Sequence, residues 1–591
     1  MKRKLTWVAV LLAAVIVLAG CPGQPQQENG NNNNNNGNGE VDTRDISGDF
    51  TDPQFLAYIR RLISIPEGAF TRADVADIDI LTVYGIYGER RLYNLEGIEH
   101  LVNLTMLDAS FNNIRTVDLS NNTELRVIEL THNNLDYLDV SALPYLYWLN
   151  LYNNRGGLGA AGINLSNNPE LETLSLSNIG LTSLDLTNNK ALLQLQLEGN
   201  LLTSIDLTSQ SNLYALYIPL NPLQKLDLSQ NTELRFLSAY ATHLTELDLS
   251  ANINLEIVTV NATDLTKVTW PANPERLYSV SMTRNNLTSF SLTNAPNLVH
   301  VYIQNNEIEY LNLSDNISLT VVNAFNNRLS NTANVNFQGS DAVTSVQFGG
   351  NEFVNFNGAV LPPNVVHLWL TGNGLQTVDL SSNINLTGLL IYNNNLTELN
   401  LDANIHLQNV VARNNQITGN LVFNHPNLWR LKLENNNITS VDITNTSIGD
   451  VPEIPFAPAV INVTQNNITG LSGVIGWQER GLIPGFNLAF LPQRGAVPAI
   501  PNILTTYVPT ATVGEYFSFF FESDSQIPHW WPWSPAQWPY QGVDVGLVLR
   551  RESGRLHGTP TIAGNWNFRV VVTNAVGSSA RDFILNIVEP D

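Results

Sequence analysis

The chain is 591 residues long and carries a formal net charge of −23, with a sequence pI near 4.7, yet only 14% of its residues are charged. An acidic surface speaks against a nucleic-acid partner, which needs a basic face, and the length exceeds what one ordinary globular core supports. The lone cysteine, Cys21, excludes an intrachain disulfide and a thiolate metal cluster.

Lys2, Arg3 and Lys4 precede an apolar run from Leu5 to Leu18 that closes on Ala19, Gly20 and Cys21. A basic start, a short apolar stretch and small residues before a cleavage point predict an export signal over 1–20. The run is shorter than the ~20 residues a membrane span needs. Leu18-Ala19-Gly20-Cys21 resembles the bacterial lipobox. The resemblance implies that Cys21 is lipidated and becomes the mature N-terminus, tying the chain to the cell envelope; stable anchoring takes more than one acyl chain. Residues 21–48 are rich in Asn, Gln, Gly and Pro, with an unbroken Asn31 to Asn36. With almost nothing apolar to bury, they are expected to form a disordered tether with a reach of ~25–30 Å.

Residues 49–103 are expected to hold a helical cap and a first repeat. Thr51-Asp52-Pro53 supplies a capping residue and a proline for the first helical position. Phe55, Leu56, Ile59, Leu62 and Ile63 follow at helical spacing. Thr71 and Asp74 are spaced as a capping box for a second short helix. Such helices would cover the core leucines that an open end of a stacked array exposes.

Residues 104–470 repeat one unit. Leu192-Leu193-Gln194-Leu195-Gln196-Leu197-Glu198-Gly199-Asn200 is followed by Leu202-Thr203-Ser204-Ile205-Asp206-Leu207-Thr208, and Asp185, Asp206, Asp227 and Asp248 recur every 21 residues. L-x-x-L-x-L-x-x-N at a period in the twenties is the signature of a leucine-rich-repeat solenoid. Units start at Leu104, Leu125, Leu146, Leu171, Leu192, Leu213, Leu234, Leu255, Leu277, Leu298, Leu319, Val343, Val365, Leu386, Leu407 and Leu428, and a degenerate turn follows near Ile461, Val463 and Asn466. About seventeen coils at ~4.8 Å give a rod ~80 Å long. The recurrent Asn is expected to bond backbone groups that the turn leaves unpaired. Ile179, Thr242 and Thr263 stand in its place, so irregular turns are expected there. Together with Leu95-Glu96-Gly97-Ile98-Glu99-His100-Leu101, these turns resemble the internalin-type leucine-rich-repeat proteins of bacterial surfaces. The resemblance implies a curved solenoid with a helical cap and leaves the partner open, because members of that family bind different partners.

Side chains alternate along a strand. With the leucines at positions four and six of each unit pointing in, positions three, five and seven point out on the inner, concave sheet. That face carries Trp148, Tyr152, Tyr217, Phe236, Tyr240, His300, Tyr302, Phe325, His367, Trp369 and Tyr392 among Thr, Ser, Asn and Gln, and its few charges are Asp108, Glu129, Glu198, Arg413, Arg430, Lys432 and Glu434. Aromatics are favoured in strands and pair across them. A row of them along one face also marks an interaction surface, and Tyr and Trp carry binding energy at interfaces. A protein ligand and a stacked glycan both suit such a face.

The second motif, L-D-L-S, sets Asp118, Asp139, Asp185, Asp206, Asp227, Asp248, Asp379 and Asp442 on the other side of the coil. Calcium needs several oxygens converging on one ion, which one carboxylate per coil does not give, so a solvated acidic face is expected. Residues 471–504 decay into Gly- and Pro-rich sequence, a linker or C-cap.

Over 505–591 the periodicity changes. Tyr516 to Phe521, Trp566 to Val572 and Asp582 to Val588 read as strands of a small β-sandwich. Gly554-Arg555-Leu556-His557-Gly558-Thr559-Pro560-Thr561-Ile562-Ala563-Gly564 resembles a motif of the immunoglobulin-like modules of bacterial surface proteins. Trp530, Trp531, Trp533, Trp538 and Tyr540 form a second candidate patch, for carbohydrate. No nucleophile with its base, carboxylate pair in a cleft, phosphate loop or metal-ligand spacing is evident, so neither catalysis nor a cofactor is expected. The chain therefore reads as mainly β: a leucine-rich-repeat solenoid with a helical N-cap and an immunoglobulin-like sandwich, in an exported, lipid-anchored adhesion protein that binds a macromolecule, with a glycan-binding surface protein and a structural spacer that binds nothing specific as the alternatives.

Overall fold

The computed structural model describes residues 43–83, 85, 91–449, 460–480, 482, 488–490, 493, 503–521, 529–532, 546–549, 555–573 and 578–590. The expected export signal, Cys21, the tether as far as residue 42, and Trp533, Trp538 and Tyr540 lie outside these residues; the end of the expected tether is ordered instead, because Ile46 is buried in the core of the coils, its N–H donates to Phe70 O (2.9 Å), and a 3-10 turn starts at Ser47. No helix among the described residues is long and apolar enough to cross a membrane.

The cap forms as its signals predict. Asp52 accepts the backbone N–H of Gln54 (2.9 Å) and Phe55 (3.2 Å), and Pro53 opens helix α1 (Pro53–Leu62). Thr71 and Asp74 close the capping box of the single-turn α2 (Arg72–Val75). Phe55 and Ile59 turn inward, whereas Leu62 is exposed. Phe50 stands 5.4 Å from Phe55 and 5.5 Å from Phe70, and all three join the apolar core of the coils. The first strand of the solenoid, Ile80–Thr82, pairs with Met106–Asp108, so it lies one coil ahead of Leu104.

From there each coil adds one short parallel strand to a single sheet. It has 19 strands among the described residues, from Ile80–Thr82 to Leu488–Ala489. Leu107, Ile128, Leu149, Leu174, Leu195, Leu216 and Leu237 are successive partners across it, and all are buried. One coil could not cover these side chains; stacked coils share one continuous core. This is a leucine-rich-repeat solenoid. It continues past residue 470: the strand Leu488–Ala489 pairs with Ile461–Asn462, and Phe490 belongs to the same core. On the other side of the coils the L-D-L-S segments pair only in places, as in Glu246–Asp248 with Lys267–Thr269 and Asn355–Asn357 with Thr377–Asp379.

The turn asparagine has the expected role, and it acts on two coils at once. Asn154 donates to the carbonyl of Leu151 in its own coil (2.9 Å) and of Leu130 in the coil before (2.8 Å), and its Oδ1 accepts the N–H of Leu135 (3.1 Å). Asn133, Asn200, Asn221, Asn306 and Asn394 repeat the pattern. The residue before it turns left-handed: Asn153, Asn305 and Asn393 have φ of 60°, 61° and 56°, a conformation Asn tolerates better than most residues. The irregular turns expected at Ile179, Thr242 and Thr263 do not occur. Asn178, Ala241 and Ala262 hold the same left-handed conformation, with φ of 57°, 53° and 54°. Thr242 Oγ1 replaces one of the missing amide bonds by donating to Ala239 O (3.0 Å), and Asn200 accepts the N–H of both Ile179 and Leu181. Backbone pairing between coils sets the turn, and the ladder amide reinforces it.

A second buried ladder runs along the opposite side. Asn122, Asn168, Asn189, Asn231, Asn252, Asn383 and Asn404 are almost completely buried, and each donates to carbonyls of the preceding coil, as Asn231 does to Leu207 (3.0 Å) and Gln210 (2.8 Å). Gln210 and His425 fill the same slot with a different side chain.

At the C-terminus Ala511–Thr512, Ser578–Val588, Gly564–Thr573 and His529–Pro532 form one sheet, and Phe517–Phe520, Arg555–Gly558 and Leu547–Leu549 form another. Phe521, Leu556, Val570, Val572, Phe583 and Leu585 make a core separate from that of the coils.

Candidate ligand-binding face

The face is positioned by the three-residue strands, whose middle residue is buried and whose flanking residues look outward. In Trp148–Asn150, Leu149 is buried and Trp148 and Asn150 are half-buried. Tyr217, Phe236, His300, Tyr302, His367 and Trp369 occupy flanking positions of their strands. Tyr152, Tyr240, Phe325 and Tyr392 follow two residues after their strands, on the same parity. All eleven keep some solvent exposure. Trp369, at 38%, and Tyr152, at 36%, are the most open of the large rings. Of the second candidate patch, Trp530 and Trp531 lie in the strand His529–Pro532, antiparallel to Val570–Thr573.

The rings gather into local groups. Near the N-terminal end Phe111 stacks on His132, with centroids 4.3 Å apart, and His132 meets Tyr152 edge-on at 5.1 Å. Trp148 donates its indole N–H to Glu129 Oε1 at 2.5 Å. Further along, Tyr214 meets Phe236 edge-on, and Tyr278 meets His300, which stacks on Tyr302. His367 lies against its cross-strand neighbour Gly388, where a Cβ would sit 2.8 Å from the imidazole Nδ1. At the far end Arg413 lies over Tyr392, 4.7 Å from the ring centroid. Phe111, His132, Tyr214 and Tyr278 were not legible as members of the face. They stand at positions two and eight of their units, where strand alternation no longer says which way a side chain points.

Partial burial tunes the titratable groups. Burial, opposed by the Trp148 indole and reinforced by Asp108, pushes the Glu129 carboxyl up to about 7. Burial raises the phenols of Tyr217, Tyr240 and Tyr302 and lowers the imidazoles of His132 and His300. Tyr240 also donates to Glu198 Oε1 at 3.3 Å. Burial brings the Lys432 ammonium down to about 8, with Glu434 opposing and Arg430 and Arg413 adding to the shift.

The aspartates of L-D-L-S are engaged with their own backbone. Asp118, Asp139, Asp185, Asp206, Asp227, Asp248, Asp379 and Asp442 each accept the N–H two residues on, at 2.8–3.0 Å. Among the described residues no group of three or more His, Cys, Asp or Glu side chains converges on a metal position.

No family profile and no curated protein matches the chain. Solved structures with similar folds include the functional domain of InlJ from Listeria monocytogenes, with 18% identity, a TM-score of 0.44, and coverage of 92% of this chain and 98% of that one. A leucine-rich-repeat protein of Leptospira interrogans has 19% identity, a TM-score of 0.46, and coverage of 71% and 97%. YopM from Yersinia enterocolitica has 22% identity, a TM-score of 0.46, and coverage of 70% and 95%.

Proposed function

We propose that the chain is an exported, lipid-anchored bacterial surface protein without catalytic activity, which binds a protein ligand on the ring-bearing face of its long sheet. The observation that carries this reading is the placement of eleven rings along one face of the coils, half-buried or exposed and interspersed with neutral polar side chains. Rings held by neighbours on their flanks and open above lose little conformational freedom on binding, and Tyr and Trp are enriched among the residues that dominate interface energies. Acylation at Cys21 would fix one end of the chain at the membrane, and residues 22–42 would hold the solenoid away from it. The C-terminal pair of sheets acts as an immunoglobulin-like module beside it.

A glycan ligand is the second reading, favoured by the exposed indole of Trp369 and by Trp530 and Trp531. Two arrays, one of surface proteins and one of glycans, distinguish the readings. Replacing Trp148, Tyr217, Tyr240, Tyr302 and Trp369 together with Ala should abolish capture while circular dichroism stays unchanged. Capture that survives in a folded variant overturns the assignment of this face. Cys21→Ser should end incorporation of a labelled fatty acid, and continued labelling would overturn the anchor.

A further inference from the structure

Charge is not spread evenly along this face. At positions three, five and seven of the coils that begin at Leu104 to Leu386 the only charged residues are Asp108, Glu129 and Glu198. The cations come together in the next two coils: Arg413 in one, and Arg430 and Lys432 in the other, with Glu434 beside them. Asn409 and Arg430 are cross-strand partners, as are Val411 and Lys432. Three cations, Lys432 among them largely buried, thus share two adjacent coils on a chain whose net charge is −23.

The local chemistry narrows what this end can hold. Arg413 is 4.0 Å from Glu434, the loosest of contacts, and Arg430 makes no ion pair among the described residues. The patch therefore offers guanidinium donors to an anion. The ring that could stack on a sugar here, Tyr392, is already covered by the Arg413 guanidinium. A guanidinium lying flat on a ring still presents its N–H edge to a carboxylate.

Resting on the assignment of this face as the binding surface, we propose that the end formed by Arg413, Arg430 and Lys432 receives an acidic segment of the protein ligand, with Asp or Glu side chains pairing with the guanidinium groups. The acidic far end does not cancel this attraction. Glu129 is thirteen coils away, ~60 Å at strand spacing, against a screening length of ~8 Å at physiological salt.

The test is calorimetric titration of the full chain, in 0.15 M salt, with acetyl-(Glu)10-amide, whose only carboxylates are side chains. Binding should be measurable and should fall at least tenfold in the R413Q/R430Q variant. It should be unchanged in R115Q/R328Q, which loses the same charge from arginines outside this patch. No binding to the wild type, binding that survives R413Q/R430Q, or an equal loss in R115Q/R328Q would overturn the proposal. So would a galacturonate decamer that binds as tightly as the peptide, since it would assign this end to a glycan. A null titration alongside ring-dependent capture of a ligand defeats this inference alone and leaves the face intact. Loss of both would defeat the face as well.

Discussion

The two sides of each coil use polar side chains in opposite ways. On the side of the L-D-L-S motif, Asp206 and Asp227 accept the backbone N–H groups of Thr208 and Ser229, both at 2.9 Å, and Asn231 beneath them is bonded to two carbonyls. These residues complete the coil, and the repetition of their identity follows from that duty. On the long sheet the strand backbone is already paired with its neighbours, so the side chains at position three have no backbone group to satisfy, although Asp108, Asn150 and Asn323 at position five accept the N–H two residues on. Trp148, Thr173, Gln194, Ala215 and Phe236 succeed one another in that column without any pattern the coil requires. Where the fold does not dictate identity, the choice of ring or charge carries information about something outside the coil.

The sharpest way to break this comparison is to remove a fold-dictated side chain. Asn221 donates to Leu197 O (2.8 Å) and Ile218 O (3.2 Å) and accepts the N–H of Leu202 (3.1 Å), all buried. Asn221→Ala leaves Ile218 O and the Leu202 N–H without these partners, while Leu197 O keeps Asn200 (2.9 Å), and should cost roughly 2–4 kcal/mol, on the basis of ~1–3 kcal/mol for each buried group left unsatisfied. Urea unfolding reads the loss. Gln194→Ala on the sheet face should shift the same midpoint by less than about 0.5 kcal/mol. Similar losses for the two variants would remove the distinction between the sides.

Glu129 is the face residue for which the distinction is least clean, because burial pushes its carboxyl up to about 7. The native state then keeps a proton that the unfolded chain, titrating near 4.5, has released. The resulting stability is complete below about pH 4.5 and is lost as pH rises through about 7, a span on the order of 2 kcal/mol after allowance for partial exposure. Glu129→Gln should flatten the unfolding midpoint between pH 5 and 8, and an unchanged slope would show that the carboxyl is not held this way.

The fold was legible because its signals are local and repeated. Asp52-Pro53 and Thr71 with Asp74 cap their helices through contacts within a few residues, and L-x-L repeated at a fixed period leaves one register that buries every leucine. What escaped was set by stacking rather than by local sequence. The buried ladder from Asn122 to Asn404 falls four residues after most Asp or Asn residues of the second motif, as Asn231 follows Asp227, yet nothing local distinguishes these asparagines from exposed ones. Leu488 and Gln493 form a further coil without the motif, because Gln493 reaches Val463 O (3.0 Å) and Asn466 N (2.9 Å) across the stack. The outward parity of the rings follows from the alternation of the leucines. Their contacts with Phe111, His132, Tyr214 and Tyr278 depend on side chains at coil positions that no alternation rule reaches.

The aspartate side supplies the smallest effect, and it tests whether those carboxylates serve the backbone alone. For Asp206 and Asp248 the hydroxyl two residues on is the first cause, and the backbone N–H of that residue the second, of a carboxyl held below its usual range; for Asp227 the order is reversed. A lowered folded value means that these groups stabilise the fold above the unfolded carboxylate range near pH 4 and that the contribution is lost as pH falls through the lower folded value. Replacing all three with Asn retains a side-chain oxygen that accepts the same N–H but cannot take up a proton. The unfolding midpoint of the triple variant should therefore match wild type at pH 6 and fall less steeply between pH 4 and pH 2. Parallel acid profiles would mean that the bonds to Thr208, Ser229 and Ser250 do not distinguish a carboxylate from an amide. A large loss at pH 6 would show that the negative charge itself is needed on this side, and the division of labour between the two sides of the coil would then have to be redrawn.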